Sequence, residues 1–183
     1  MTLGDAFAAV LAAARAGEEW AWAEIYRDLA GPVTGYLASR GAGEPEDLAS
    51  ETFLQVARGL GSFEGDEGDF RSWVFVIAHR RMQDARRAAK RRPQPAGGEA
   101  DEVLAGLRSS LDVEGEVLGG VADERLLTAL DGLSDLQRDV LALRVVGDLS
   151  VADTAAVLGK TPGAVKVLQH RALRALKEIL DGT

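Results

Sequence analysis

Two histidines, His79 and His170, and no cysteine limit the covalent and metal chemistry open to this 183-residue chain. The histidines are far apart, neither sits in a carboxylate cluster with ligand spacing, and no Gly-rich phosphate loop is present. No catalytic base with its partner, no metal centre and no cofactor is therefore expected, which sets an enzyme aside. His170 reads as a polar surface residue. The residues able to do chemistry are instead cations. Between Val76 and Pro93, Arg80, Arg81, Arg86, Arg87, Lys90, Arg91 and Arg92 stand against Asp84 alone, a local charge of +6. From Ser150 to Lys177, Lys160, Lys166, Arg171, Arg174 and Lys177 face only Asp153, a local charge of +4. The whole chain carries −8, and the stretch from Gln94 to Asp123 alone carries −6. Because a phosphate backbone responds to charge within a Debye length of about 10 Å, both basic segments are candidate nucleic-acid contacts in an acidic protein.

The carboxy-terminal cations need a scaffold, and the local sequence supplies one. Val151 to Arg171 has the spacing of a helix-turn-helix: Ala155 is small where a second helix must cross, Gly159 can adopt the left-handed turn, and Val165 and Leu168 point back to the core. Lys160, Thr161, Gly163, Lys166, His170, Arg171 and Arg174 then fall at the start and on the outer side of the second helix, where base edges and phosphates would be met. A helical hairpin with a solvated basic face is the bland alternative. The amino-terminal cations follow an aromatic cluster, Phe70 to Phe75, a combination used to bind single-stranded nucleic acid. Trp73 and Ile77 are read as core, and the loop Ser62 to Asp69 as exposed. The preceding helix sets Glu46, Asp47, Glu51 and Gln55 beside Leu48, Phe53, Leu54 and Val56, an amphipathic pattern that suits partner docking and equally any surface helix.

Hydrophobic residues make up 46% of the chain and aromatics only 5%, which favours aliphatic helix packing over a sheet. Helical periodicity covers Asp5–Ala14, Glu18–Arg40, Pro45–Gly59 and Phe70 to about Arg91, and predicts a first bundle over residues 1–93. Gln94 to Val121, acidic and rich in Gly, reads as a flexible linker with room for a short helix near Val103–Leu111; a packed helix pair is the alternative. A second domain, residues 122–183, opens with Glu124–Asp131 and carries three marked helix starts: a capping box at Ser134 with Gln137, a cap at Ser150 with Asp153, and Thr161 before Pro162. Its expected class is all-α, two small helical domains joined by an acidic linker. The longest apolar run, Phe7–Ala14, is too short to span a bilayer and lacks a basic lead, so a cytoplasmic protein without membrane insertion is expected.

Together these segments resemble the extracytoplasmic-function (ECF, group 4) sigma factors of bacterial RNA polymerase. Trp22 to Tyr26 resembles the family's opening helix, Pro45 to Val56 its polymerase-binding helix, and Phe70 to Ala78 with Asp84, Arg86 and Arg87 its promoter-opening helix. Leu130 to Arg144, then Ala164-Val-Lys with Arg171-Ala-Leu, resembles its carboxy-terminal domain. The resemblance implies a sigma region 2 bundle and a region 4 helix-turn-helix. It implies that Asp47, Leu48, Glu51, Phe53 and Gln55 meet the clamp helices of the largest subunit of core RNA polymerase. It further implies that Ser62, Phe63, Glu64, Phe70, Arg80, Arg81, Arg86 and Arg87 serve the downstream (minus ten) promoter element and melted strand. Lys160, Thr161, Gly163, Lys166, His170, Arg171 and Arg174 would read the upstream (minus thirty-five) element, and the linker would thread toward the RNA exit path. An anti-sigma factor is an implied partner. Arg80 stands where many relatives have Asn and Leu168 where Arg is common, so base contacts at those positions do not carry over. The rival readings are a helix-turn-helix regulator acting without polymerase and a helical adaptor without DNA contact.

Overall fold

A computed structural model of the chain describes residues 3–91, 130 and 132–181. The expected linker, the short helix near Val103–Leu111 and nearly all of Glu124–Asp131 lie outside the described residues. Among the described residues the fold is helical, without strands. The amino-terminal bundle holds α1 (Phe7–Arg15), α2 (Glu19–Ser39), α3 (Pro45–Gly59) and α4 (Glu67–Arg91); the carboxy-terminal group holds α5 (Asp135–Val145), α6 (Val151–Leu158) and α7 (Pro162–Asp181).

Local sequence explains most boundaries. Pro45 opens α3 at the first turn, where a missing N–H costs nothing. Ser134 and Gln137 close a reciprocal capping box on α5, and Ser150 with Asp153 does the same on α6, as their spacing predicts. Gly159 ends α6 at φ 61°, a left-handed conformation that a residue with a Cβ adopts only under strain, and so turns the chain into α7. Helix α4 begins at Glu67, three residues before the expected Phe70. The reason is a third reciprocal cap: the Asp69 N–H donates to Asp66 Oδ1 at 2.9 Å and the Asp66 N–H to Asp69 Oδ2 at 3.1 Å.

Helix α4 is the centre of the molecule. Phe70, Ser72, Val74, Phe75, Ile77, Ala78, His79 and Met82 are all buried, too wide an arc for one contact face, because α3 packs on one side of α4 and α6 on another. The two helical groups therefore share a core: Leu143, Leu149 and Val157 join the cluster built on Ile25, Val33, Tyr36, Val56 and Phe75. Fully burying one such side chain contributes roughly 1.5–3 kcal/mol. A smaller cluster of Val140, Ala155 and Val165, with Leu158 and Leu168 against it, fixes the angle between α6 and α7. No helix among the described residues is long and apolar enough to cross a membrane.

Candidate nucleic-acid and partner interfaces

Three surfaces hold the residues that the sequence singles out. On α3, Asp47, Glu51 and Gln55 recur at helical spacing and are exposed, while Leu48 is half-buried against the core. Phe53 turns the other way. It is 4% exposed and packs its ring against Tyr26 at 4.8 Å between centroids, so it supports the helix from beneath rather than facing outward. The apolar side chain on the outer face is Leu54, 58% exposed, which the sequence pattern placed in the helix but not in the site. Arg81 of α4 reaches this face: its Nε donates to Gln55 Oε1 at 3.2 Å and its guanidinium lies 3.5 Å from Glu51. Among the described residues Arg81 thus meets the acidic stripe as well as the basic run it belongs to.

The second surface is the segment from Ser62 to Phe70. Ser62 and Glu64 are exposed, but Phe63 and Phe70 are buried, stacking and edging onto Trp73 and each other at 5.1–5.7 Å. The loop is held at both ends by the amino-terminal segment. Arg15 donates through Nε to the Leu60 carbonyl at 3.1 Å and through its terminal nitrogen to the Phe63 carbonyl. The Glu67 carboxylate accepts the Leu3 and Gly4 N–H groups at 2.6 and 2.9 Å. Gly65 sits at φ +146°, where a Cβ would come within 2.7 Å of Asp69. Three of the acidic residues in this stretch, Asp66, Glu67 and Asp69, thus accept hydrogen bonds from backbone N–H groups. A cleft of about 590 Å³ opens beside it, floored by Phe7 and Leu11 and rimmed by Asp5, Arg15 and Asp66.

Behind the loop, Arg80 and Arg87 are exposed on α4, with Arg87 3.3 Å from Asp84. Arg86 is half-buried and donates to the Arg40 carbonyl; burial, then the neighbouring Arg40 guanidinium, lower its pKa from the ordinary arginine value. His79 is buried between the Tyr36 hydroxyl and the Gln83 amide, each 2.6 Å from a ring nitrogen. Burial foremost, with the Arg40 and Arg86 guanidinium groups added, lowers its pKa against the opposing pull of Asp139. It is a core residue. No group of His, Asp or Glu able to hold a metal occurs among the described residues.

The third surface is α7. Lys160, Thr161, Gly163, Lys166, His170, Arg171 and Arg174 are all exposed, at its start and along its outer side. The Thr161 hydroxyl accepts the Ala164 N–H at 3.2 Å and caps the helix, and Arg174 pairs with Glu178 at 3.2 Å one turn on. Val165 and Ala172, fully buried on the opposite side, hold α7 against α5 and α6.

Comparison with known proteins agrees with this architecture. Residues 23–92 match the family model of Sigma-70 region 2, and residues 123–176 match that of Sigma-70, region 4. The ECF RNA polymerase sigma factor SigD of Mycobacterium tuberculosis is 36% identical over 184 residues, covering 96% of this chain and 84% of that protein. The ECF RNA polymerase sigma factor BldN of Streptomyces coelicolor is 36% identical over 169 residues; the alignment covers 91% of this chain but 63% of BldN. Among solved structures, CnrH in complex with the cytosolic domain of CnrY shares the fold, with a TM-score of 0.67 and 24% identity over 97% of this chain and 99% of that one. RpoE from Bartonella quintana, in complex with the anti-sigma factor NepR, gives 0.56 and 23% over 96% and 94%. With both sigma regions present in order and a relative aligned over most of both lengths, the chain belongs to the ECF family of RNA polymerase sigma factors.

Proposed function

We propose that the chain docks on core RNA polymerase through the outer face of α3 and directs it to promoters by two DNA surfaces, without a catalytic step of its own. In this reading Asp47, Glu51, Gln55 and Leu54 meet the clamp helices of the largest subunit, with Leu48 and Phe53 supporting the face from below. The loop from Ser62 to Phe70, with Arg80, Arg81, Arg86 and Arg87, serves the downstream element and the melted strand; α7 serves the upstream element. The observation that carries the reading is the pairing, in one member of this family, of an exposed acidic and apolar stripe on α3 with an exposed basic face on α7. A regulator acting without polymerase would need only the second. Cytoplasmic action and control by an anti-sigma protein fit the same reading, since a solved structure of this fold holds an anti-sigma factor.

The test is transcription from a pool of genomic fragments by purified core polymerase, with the 5′ ends of the products sequenced. Discrete start sites that require the chain, and that share two sequence elements, are expected. A product pattern identical with and without the chain would refute the proposal.

A further inference from the structure

The backbone that carries Ser62 and Glu64 has few bonds of its own to hold it. Gly61 and Gly65 flank this stretch, in which only Phe63 is buried, and a glycine loses more conformational freedom than any other residue when a segment is fixed. The reciprocal cap of Asp66 and Asp69 ties only the far end of the loop to α4. At the near end the Ser62 hydroxyl donates to the Gly59 carbonyl at 3.0 Å and the Phe63 N–H to the Leu60 carbonyl at 3.3 Å. Those bonds shape a turn without attaching it to the bundle. The Phe63 ring, stacked on Trp73, is one attachment; the other comes from α1.

Arg15, the last residue of α1, spans the Leu60–Ser62 turn. Its Nε donates to the Leu60 carbonyl at 3.1 Å and its terminal nitrogen to the Phe63 carbonyl, partners 45 and 48 positions away. A planar guanidinium with donors on two nitrogens fixes two acceptors relative to each other as well as to α1, which an ammonium on a flexible stem does not. Helix α1 is itself secured nearby: Phe7 packs on Phe70 at 5.6 Å between centroids, and Glu67 accepts the Leu3 and Gly4 N–H groups. Arg15 shares its cleft with Asp5, Asp66 and Glu67, three carboxylates against one guanidinium. Such a rim repels a phosphate backbone, so Arg15 acts on the loop rather than on a strand.

We infer that Arg15 is a positioning residue for promoter reading: by bracing the Leu60 and Phe63 carbonyls against α1, it holds Ser62 and Glu64 in the conformation that discriminates an unpaired base of the downstream element. A loop ordered before the strand arrives does not lose that freedom on binding, and it favours the right base over a wrong one because its groups stand at fixed distances. The effect on promoter reading rests on the sigma-factor function proposed above; the brace does not.

Two measurements on the full chain test this. By amide hydrogen exchange, the Phe63 N–H should exchange at least about tenfold faster in Arg15→Ala and in Arg15→Lys than in wild type, with the middle turns of α3 and α4 unchanged. Transcription with core polymerase then uses one promoter recovered from the genomic pool, with each position of its two elements substituted in turn. Wild type should prefer the best base at the loop-read downstream position by on the order of tenfold, and both variants by less than about threefold. Preferences in the upstream element, read by α7, and the circular dichroism spectrum should not change. A merely structural Arg15 would lower product from every template equally, so intact downstream ratios in both variants despite faster Phe63 exchange would overturn the role in promoter reading. Wild-type ratios in Arg15→Lys with loss in Arg15→Ala would identify a charge contact and overturn the brace, as would Phe63 exchange unchanged in both variants. Absence of chain-dependent transcripts from wild type, with Phe63 exchange responding as expected, would overturn the sigma-factor reading and the positioning role with it, while upholding the brace.

Discussion

Asp47 and Glu51 stand one helical turn apart on the exposed side of α3, whereas Phe53, two positions on, faces the core. The two kinds of residue should fail differently. Phe53→Ala is expected to cost about 3–5 kcal/mol of stability, because it empties a site enclosed by Tyr26 and the bundle. Leu54→Ala should leave the melting temperature within about a degree and weaken polymerase binding, since its side chain is 58% exposed and its truncation opens no cavity; thermal melts beside binding titrations separate the two. On α7, Lys166→Ala and Arg171→Ala should each reduce the slope of log affinity against log salt for an upstream duplex by about one, the signature of a lost phosphate contact. The sequence already displayed these cations, because charge can be read from residue type. It did not display which aromatic residues face inward, since Phe53, Phe63 and Phe70 are settled by partners on other helices. Nor did it reveal Arg40 with Asp139, a pair 99 positions apart with no local pattern to announce it.

Helix boundaries depend on a few polar side chains. Ser134, Ser150 and Thr161 were readable as caps because a capping residue and its partner lie within three positions, and all three cap their helices. Ser134→Ala should cost about 1 kcal/mol, measured by denaturant unfolding, with polymerase docking through α3 unchanged. The earlier start of α4 was also encoded, in Asp66 and Asp69, but a run of acids within a loop looks like solvation until the backbone closes on it. The order of the helices among the described residues followed from periodicity, which a chain with sparse aromatics and frequent Leu, Ala and Val displays clearly. The packing of α6 on α4 did not follow. A helix buried on two sides shows only as an unusually broad apolar arc, and Trp73 to Ala78 gives that arc without saying what covers it.

The molecule as a whole joins a bundle and a helix-turn-helix through a shared core with buried polar groups at its edge, and this should appear in its response to acid. His79 has a lowered pKa in the fold, so its neutral form contributes stability that is present above the ordinary imidazole value of 6.5 and lost as pH falls below it. Burial pushes the Asp135 carboxyl up, but the Arg40 guanidinium and its hydrogen bond pull it further down, to a net value below 3.8, so its contribution is lost at still lower pH. The melting temperature should therefore fall between pH 7 and pH 5, and His79→Gln, which keeps a polar side chain for Tyr36 and Gln83, should flatten that fall; a slope unchanged by the substitution would place the sensitivity elsewhere. The central claim, that α3 brings this chain to RNA polymerase, is tested most directly by titrating dye-labelled protein with purified bacterial core polymerase, comparing wild type with Asp47→Ala, Glu51→Ala. Saturable binding, weakened about tenfold or more in the double variant while its helicity and melting temperature are kept, is the predicted result. No binding by folded wild type, or equal binding by both proteins, would contradict the account.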